Sequence, residues 1–185
     1  MRLFETPLPR DVHHRAFWIS PPGSAAALAV AQAARRHAGI VVAVARDTHA
    51  AHALEADLRT FTKSSDDAGD DIEVLHFPDW ETLPYDLFAP HPQIVSQRIA
   101  ALYRLPSISR GVLVVPAATL LQRLAPRSFI GGSSLMLELR QRLDLAAEQQ
   151  RLQAAGYRNV PQVSEPGDFA VRGALIDIFP MGAAE

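Results

Sequence analysis

Ile40-Val41-Val42-Ala43-Val44-Ala45, followed by Arg46-Asp47-Thr48, is the stretch whose reading decides the fold. Six consecutive apolar residues, mostly β-branched, leave no polar face for water. That is the pattern of a strand buried on both faces of a parallel sheet. Gly39 suits the residue beyond a helix end, and Asp47 suits a helix cap. The stretch therefore predicts helix, strand, helix. Upstream, the alanine-rich segment 25–37 ends in Arg35-Arg36-His37, whose charges suit a helix C-terminus. Downstream, a helix from Thr48 to Phe61 places Ala50, Ala53, Leu54, Leu58 and Phe61 along one face.

The same alternation extends outward. Ala16-Phe17-Trp18-Ile19 and Glu73–Phe77 read as short strands. Gln93–Leu105 reads as a helix with Ile94, Val95, Ile99, Leu102 and Leu105 apolar. Gly111–Pro116 is a further buried strand and Ala117–Leu124 a short helix. Strands alternating with helices imply right-handed βαβ units and a parallel sheet with helices on both faces. After Gly131-Gly132-Ser133-Ser134 the pattern changes. Leu135–Leu139 reads as a strand, and Leu145–Ala155 as a helix capped by Asp144 and stopped by Gly156. Tyr157–Val163 and Phe169–Phe179 read as strands around the turn Glu165-Pro166-Gly167-Asp168. The expected organisation is an extension at 1–15, an α/β domain at 16–130 and the start of a smaller α/β domain at 131–185. The second half of Phe169–Pro180 is apolar enough to want neighbours on both sides, and the chain stops first. The sequence thus predicts a fragment.

The 185 residues carry a formal net charge of −2 and a pI of about 6.4, which argues against a protein that coats nucleic acid. There is no cysteine, so disulfides, thiolate metal sites and a thiol nucleophile are excluded. No basic-then-apolar leader and no apolar run of membrane length occur, so a soluble cytoplasmic protein is expected. Lys63 is the only lysine among eighteen basic residues. It adjoins the polar, acidic stretch Ser64–Asp71, which reads as a solvated loop.

A phosphate-binding loop needs backbone amides from a glycine-rich turn, a lysine on the β- and γ-phosphates and a hydroxyl on magnesium. The stretch in that position is Ser20-Pro21-Pro22-Gly23-Ser24-Ala25-Ala26-Ala27-Leu28. Its prolines remove amide donors, and alanines stand where lysine and Ser/Thr belong. Pro22, Gly23 and Ser24 are therefore a degenerate nucleotide loop, capable at most of holding an anion weakly. Asp79 with Glu81 loosely imitates a Walker-B carboxylate, but Pro78 intervenes. Trp80, Leu83 and Tyr85 read as packing groups, which favours a structural loop. His49 and His52 could share a helix face, and His13-His14 face apart. No third ligand sits at a convincing spacing, so these histidines read as solvated or capping, and no metal is expected. Asp66, Asp67, Asp70 and Asp71 lack the spacing of a calcium loop. No nucleophile elbow is present. Arg172 differs from the scattered arginines. It stands beside Gly173 at a strand junction, where a tight turn presents it outward, and its planar fork suits a partner surface as well as it suits a salt bridge.

Several motifs together resemble the N-terminal region of the bacterial transcription-repair coupling factor (Mfd) family. They are Phe77-Pro78-Asp79-Trp80-Glu81-Thr82-Leu83-Pro84-Tyr85-Asp86, Pro90-His91, Ser96-Gln97-Arg98, Leu102-Tyr103, Gly111–Pro116 and Thr119-Leu120-Leu121-Gln122-Arg123. Ala155-Gly156-Tyr157-Arg158 and Arg172–Gly182 complete the set. The resemblance implies a UvrB-like, RecA-like domain of P-loop type with a degenerate nucleotide site, then part of a smaller UvrA-binding domain. The long damage-probing hairpin of UvrB has no room between Asp86 and Gln93. By motif, Arg172 is the expected UvrA contact. The resemblance further implies an adaptor and autoinhibitory module that is not itself catalytic. ATP, magnesium, RNA polymerase and double-stranded DNA would be handled by other parts of the parent protein. The alternative is a free-standing α/β nucleotide-dependent enzyme with an atypical phosphate loop.

Overall fold

The computed structural model describes residues 7–11, 13–19, 22–63, 72–83, 85–132, 140 and 142–183. They fall into two compact units, one within Met1–Asp79 and Leu105–Gln122, the other within Trp80–Arg104 and Arg123–Glu185.

The first unit is built on helix α1 (Ala25–Arg36), strand β1 (Ile40–Ala45), helix α2 (Thr48–Thr62), strand β2 (Glu73–His76) and strand β3 (Gly111–Pro116). The strands form a parallel sheet in the order β1-β3-β2. Ile40 and Glu73 both stand opposite Gly111, so β3 is the centre and its residues pair on both sides. Gly111 has to be small, because a Cβ there would lie 2.8 Å from the Glu73 carbonyl oxygen.

Why these segments take these forms is local. Asp47 is extended, and its carboxylate accepts from the Ala50 N–H at 2.8 Å, starting α2 as its position predicts. Along α1, Ala27, Ala31 and Ala34 recur at helical spacing and are buried. Such small side chains let α1 and α2 approach closely over Ala43, Ala45, Val74, Val112 and Val114, with Ala51 and Leu58 from α2. The α1 end departs from expectation. His37 in extended conformation ends it, its N–H on the Ala33 carbonyl, so no left-handed glycine is used.

The α/β class and the parallel sheet are as the sequence predicts, but the covering of β1 is not. Both helices pack on the face that carries Ala43 and Ala45, while Val42 and Val44 on the other face are 53% and 52% exposed. The continuous apolar run thus alternates in burial. A second difference lies at 16–19, which forms no strand, with Phe17 and Ile19 largely exposed. The predicted helix at 117–124 is a 3₁₀ turn, Ala117–Leu121.

The second unit holds helix α3 (Pro92–Arg104), a six-residue helix α4 (Arg127–Gly132) that the sequence did not suggest, helix α5 (Leu145–Ala154) and a small mixed sheet. In that sheet β4 (Arg158–Asn159) runs parallel to β5 (Asp168–Arg172), which pairs antiparallel with β6 (Leu175–Ile178). Asp144 caps α5 by accepting from the Ala146 and Ala147 N–H groups. Only two residues of the predicted strand 157–163 pair in a ladder. The predicted strand at 135–139 and the acidic stretch 64–71 lie outside the described residues.

Candidate partner-binding site

β5 and β6 are joined by the two-residue turn Gly173-Ala174, with Arg172 opposite Leu175. Gly173 has φ of +61°, the first-position geometry of a primed hairpin turn, which explains the glycine beside the arginine. Residues opposite one another on a hairpin share a face, so Arg172, Leu175 and Asp177 stand together, and all three are exposed. Arg172 does not swing freely. Its Nη2 donates to the Pro161 carbonyl oxygen at 2.9 Å, which orients the guanidinium and leaves its remaining N–H groups outward. The sequence singled out the arginine. It missed Leu175, because that residue reads as part of a strand awaiting burial; the structure leaves it 71% exposed on an edge strand.

The platform beneath is rigid for polar reasons. Asp168 is almost wholly buried, and its carboxylate accepts from the Ser164 and Glu165 backbone N–H groups and meets the Arg158 guanidinium at 2.8 Å. Burial alone would raise its pKa, yet the two backbone donors and Arg158 outweigh it and hold the carboxyl below its ordinary value. The side chain therefore locks the turn before β5. Phe169 beside it is fully buried. Beyond β6, the Met181 N–H donates to the Tyr157 hydroxyl at 2.9 Å and the Gly182 N–H to Ser96 Oγ at 2.7 Å. Gly182 has φ of +94° and lies against Ala100, which is why a glycine ends that motif. Buried Arg98 places its guanidinium 4.0 Å from the Trp80 ring centroid. Trp80 packs as expected, whereas Leu83 and Tyr85, read as packing groups, are 72% and 97% exposed.

The other sequence candidates stand in the first unit. Pro22, Gly23 and Ser24 are exposed at the start of α1, with Gly23 at φ +53° and no side-chain cap from Ser24. Asp79 accepts from Thr119 Oγ1 and Gln122 Nε2, which ties the 3₁₀ turn to the loop after β2, as a structural carboxylate would. His49 and His52 are exposed on α2. Among the described residues His52 gathers with Glu55 and His76, a partner on another element that helical spacing could not reveal.

Residues 135–185 match the UvrB interaction domain. Over 87% of its length the chain is 48% identical to the transcription-repair-coupling factor of Escherichia coli (strain K12). It is 43% identical over 88% of its length to that of Haemophilus influenzae, and 34% identical over 79% to that of Myxococcus xanthus. Over this span the chain is similar to transcription-repair-coupling factors, and its residues 135–185 to the UvrB interaction domain. It covers 12–13% of the length of these relatives.

Proposed function

We propose that this chain is the UvrA-docking module of a transcription-repair-coupling factor, with Arg172 at the centre of the contact. The observation that carries this reading is the position of Arg172. Within the segment that matches the UvrB interaction domain, it is exposed at a hairpin corner, oriented by Pro161, with Leu175 and Asp177 on the same face. A planar cation beside an apolar side chain and a carboxylate suits a protein partner better than a phosphate backbone, since Asp177 repels phosphate.

In the parent protein this module would act as adaptor and autoinhibitory element. An ATP- and magnesium-dependent DNA translocase elsewhere in the parent would release RNA polymerase stalled at lesions in the cytoplasm. The first unit is read as RecA-like with a silent nucleotide loop. The alanines that open α1 offer neither a lysine nor a hydroxyl, which supports that reading. Among the described residues no helix is long and apolar enough to cross a membrane.

Titration of UvrA with the full-length protein tests the proposal. Arg172→Ala should weaken binding by about tenfold or more, the range for a central interface arginine, and should leave ATPase activity intact. Unchanged affinity would remove Arg172 from the contact. Micromolar binding of Mg-ATP to the 185-residue chain would overturn the silent-loop reading.

A further inference from the structure

Glu55 lies on α2, two turns into the helix, with one carboxylate oxygen turned toward each of two kinds of neighbour. Oε1 accepts from Arg59 Nε at 3.0 Å and Nη2 at 2.8 Å. Oε2 lies 2.6 Å from His76 Nδ1 and 3.9 Å from His52 Nδ1. His52 precedes Glu55 by three residues on the same helix face, and His76 closes β2 against that helix. One donor atom from each of the three residues falls within 4.8 Å of the others. The two imidazole rings stand edge to face, centroids 4.6 Å apart.

His76 is the covered member of the cluster: its side chain is nine-tenths buried, so Nδ1 is offered to Glu55 and the site and not to bulk water.

We propose that His52, Glu55 and His76 form a zinc-binding site that clips strand β2 to helix α2. Two imidazoles and one carboxylate are donors zinc accepts, and its lack of geometric preference suits ligands drawn from a helix and a strand. With metal–ligand bonds of about 2.0–2.2 Å, tetrahedral donors stand roughly 3.3 Å apart. The 2.6 Å separation must open and the 3.9 Å one must close, both by side-chain rotation, while the elements stay where they are. The ion takes the place of the proton shared by His76 and Glu55. His52 is 57% exposed, which gives the ion its entry path and leaves the fourth position to water. Arg59 fixes the carboxylate from its other oxygen and, by its charge, keeps affinity below that of a site without a neighbouring cation.

Zinc alone is the probe, titrated into the whole 185-residue chain by calorimetry, with cobalt(II) visible absorption as the report of tetrahedral nitrogen and oxygen ligation. One ion should bind per chain with micromolar or tighter affinity, and zinc should raise the melting temperature. His52→Ala alters an exposed side chain and should leave the metal-free melting temperature unchanged. It should weaken zinc by about tenfold or more and abolish the zinc-induced rise in melting temperature. Glu55→Gln should do likewise. His49→Ala and the His13→Ala/His14→Ala pair should bind zinc as the parent chain does. Absence of saturable binding, equal affinity in His52→Ala, or loss of binding in the His13/His14 pair would each overturn the assignment.

Discussion

The two units of this chain solve the same problem with different materials. The parallel-sheet unit is held by small aliphatic side chains, alanines from α1 and valines from three strands, that interlock between helices and sheet. The hairpin unit has a thinner apolar core, with Phe169 and Leu152 among its few fully covered large side chains, and is stitched instead by backbone donors converging on Asp168, Tyr157 and Ser96. A fold fastened from within by polar contacts can leave its hairpin surface unburdened. That freedom is what lets Arg172, Leu175 and Asp177 face outward as a group.

The hairpin unit depends most heavily on Phe169. Replacing that fully buried ring by alanine should cost about 3–5 kcal/mol, the range for a large aromatic removed from a core. Denaturant unfolding would measure it, and hydrogen exchange should show the loss of protection concentrated in β5 and β6. A cost under about 1 kcal/mol would mean that polar contacts alone hold the hairpin.

A smaller effect sharpens the other side. In the sheet unit, the hydrogen bond from His76, opposed by burial and reinforced by Arg59, holds Glu55 at about 2, against an ordinary value of 4.5. A depressed carboxyl favours the folded state above its unfolded value, so this contribution is complete above about pH 5 and drains away between about 4.5 and 2. With His52 and Arg59 facing it and partial exposure weakening the field, the contribution is about 2 kcal/mol. Acid unfolding of Glu55→Gln, monitored by circular dichroism in the absence of metal, should show a flatter limb across that interval.

Gly167→Ala comes next. Gly167 has φ of +89°, and an added Cβ would lie 2.7 Å from the flexible end of Met181. Methionine can yield, so the cost is mainly backbone strain, about 1–2 kcal/mol, read from the thermal midpoint. The smallest stability change belongs to Arg172→Ala, within about 0.5 kcal/mol, because an exposed side chain with one bond to a carbonyl supports little. Its predicted loss of UvrA binding with stability preserved is the sharpest contrast of the four. A large stability loss would make Arg172 a structural residue.

Much of this was legible in the sequence because the signals were local. Asp47 and Asp144 read as caps since a cap is satisfied within three residues of itself. The strands at 40–45 and 111–116 read from composition and length alone. Ala16–Ile19 misled for the opposite reason: four apolar residues carry no information about whether a sheet receives them. Val42 and Val44 misled similarly, since an apolar run records what a strand could bury and not what lies above it. The arginine at the hairpin corner was visible beside its glycine. Its companions on the face depend on register, and His76 reaches His52 and Glu55 only through the packing of β2 on α2.

Strand β1 leaves one further mark on how this chain behaves in the tube. Among the described residues it lies at the end of the sheet order, and it carries two half-exposed valines, with no charged side chain between Ile40 and Ala45 to discourage a visitor. Such an edge recruits other strands. Self-association through β1 is the expected behaviour at high concentration, and light scattering across a concentration series reads it.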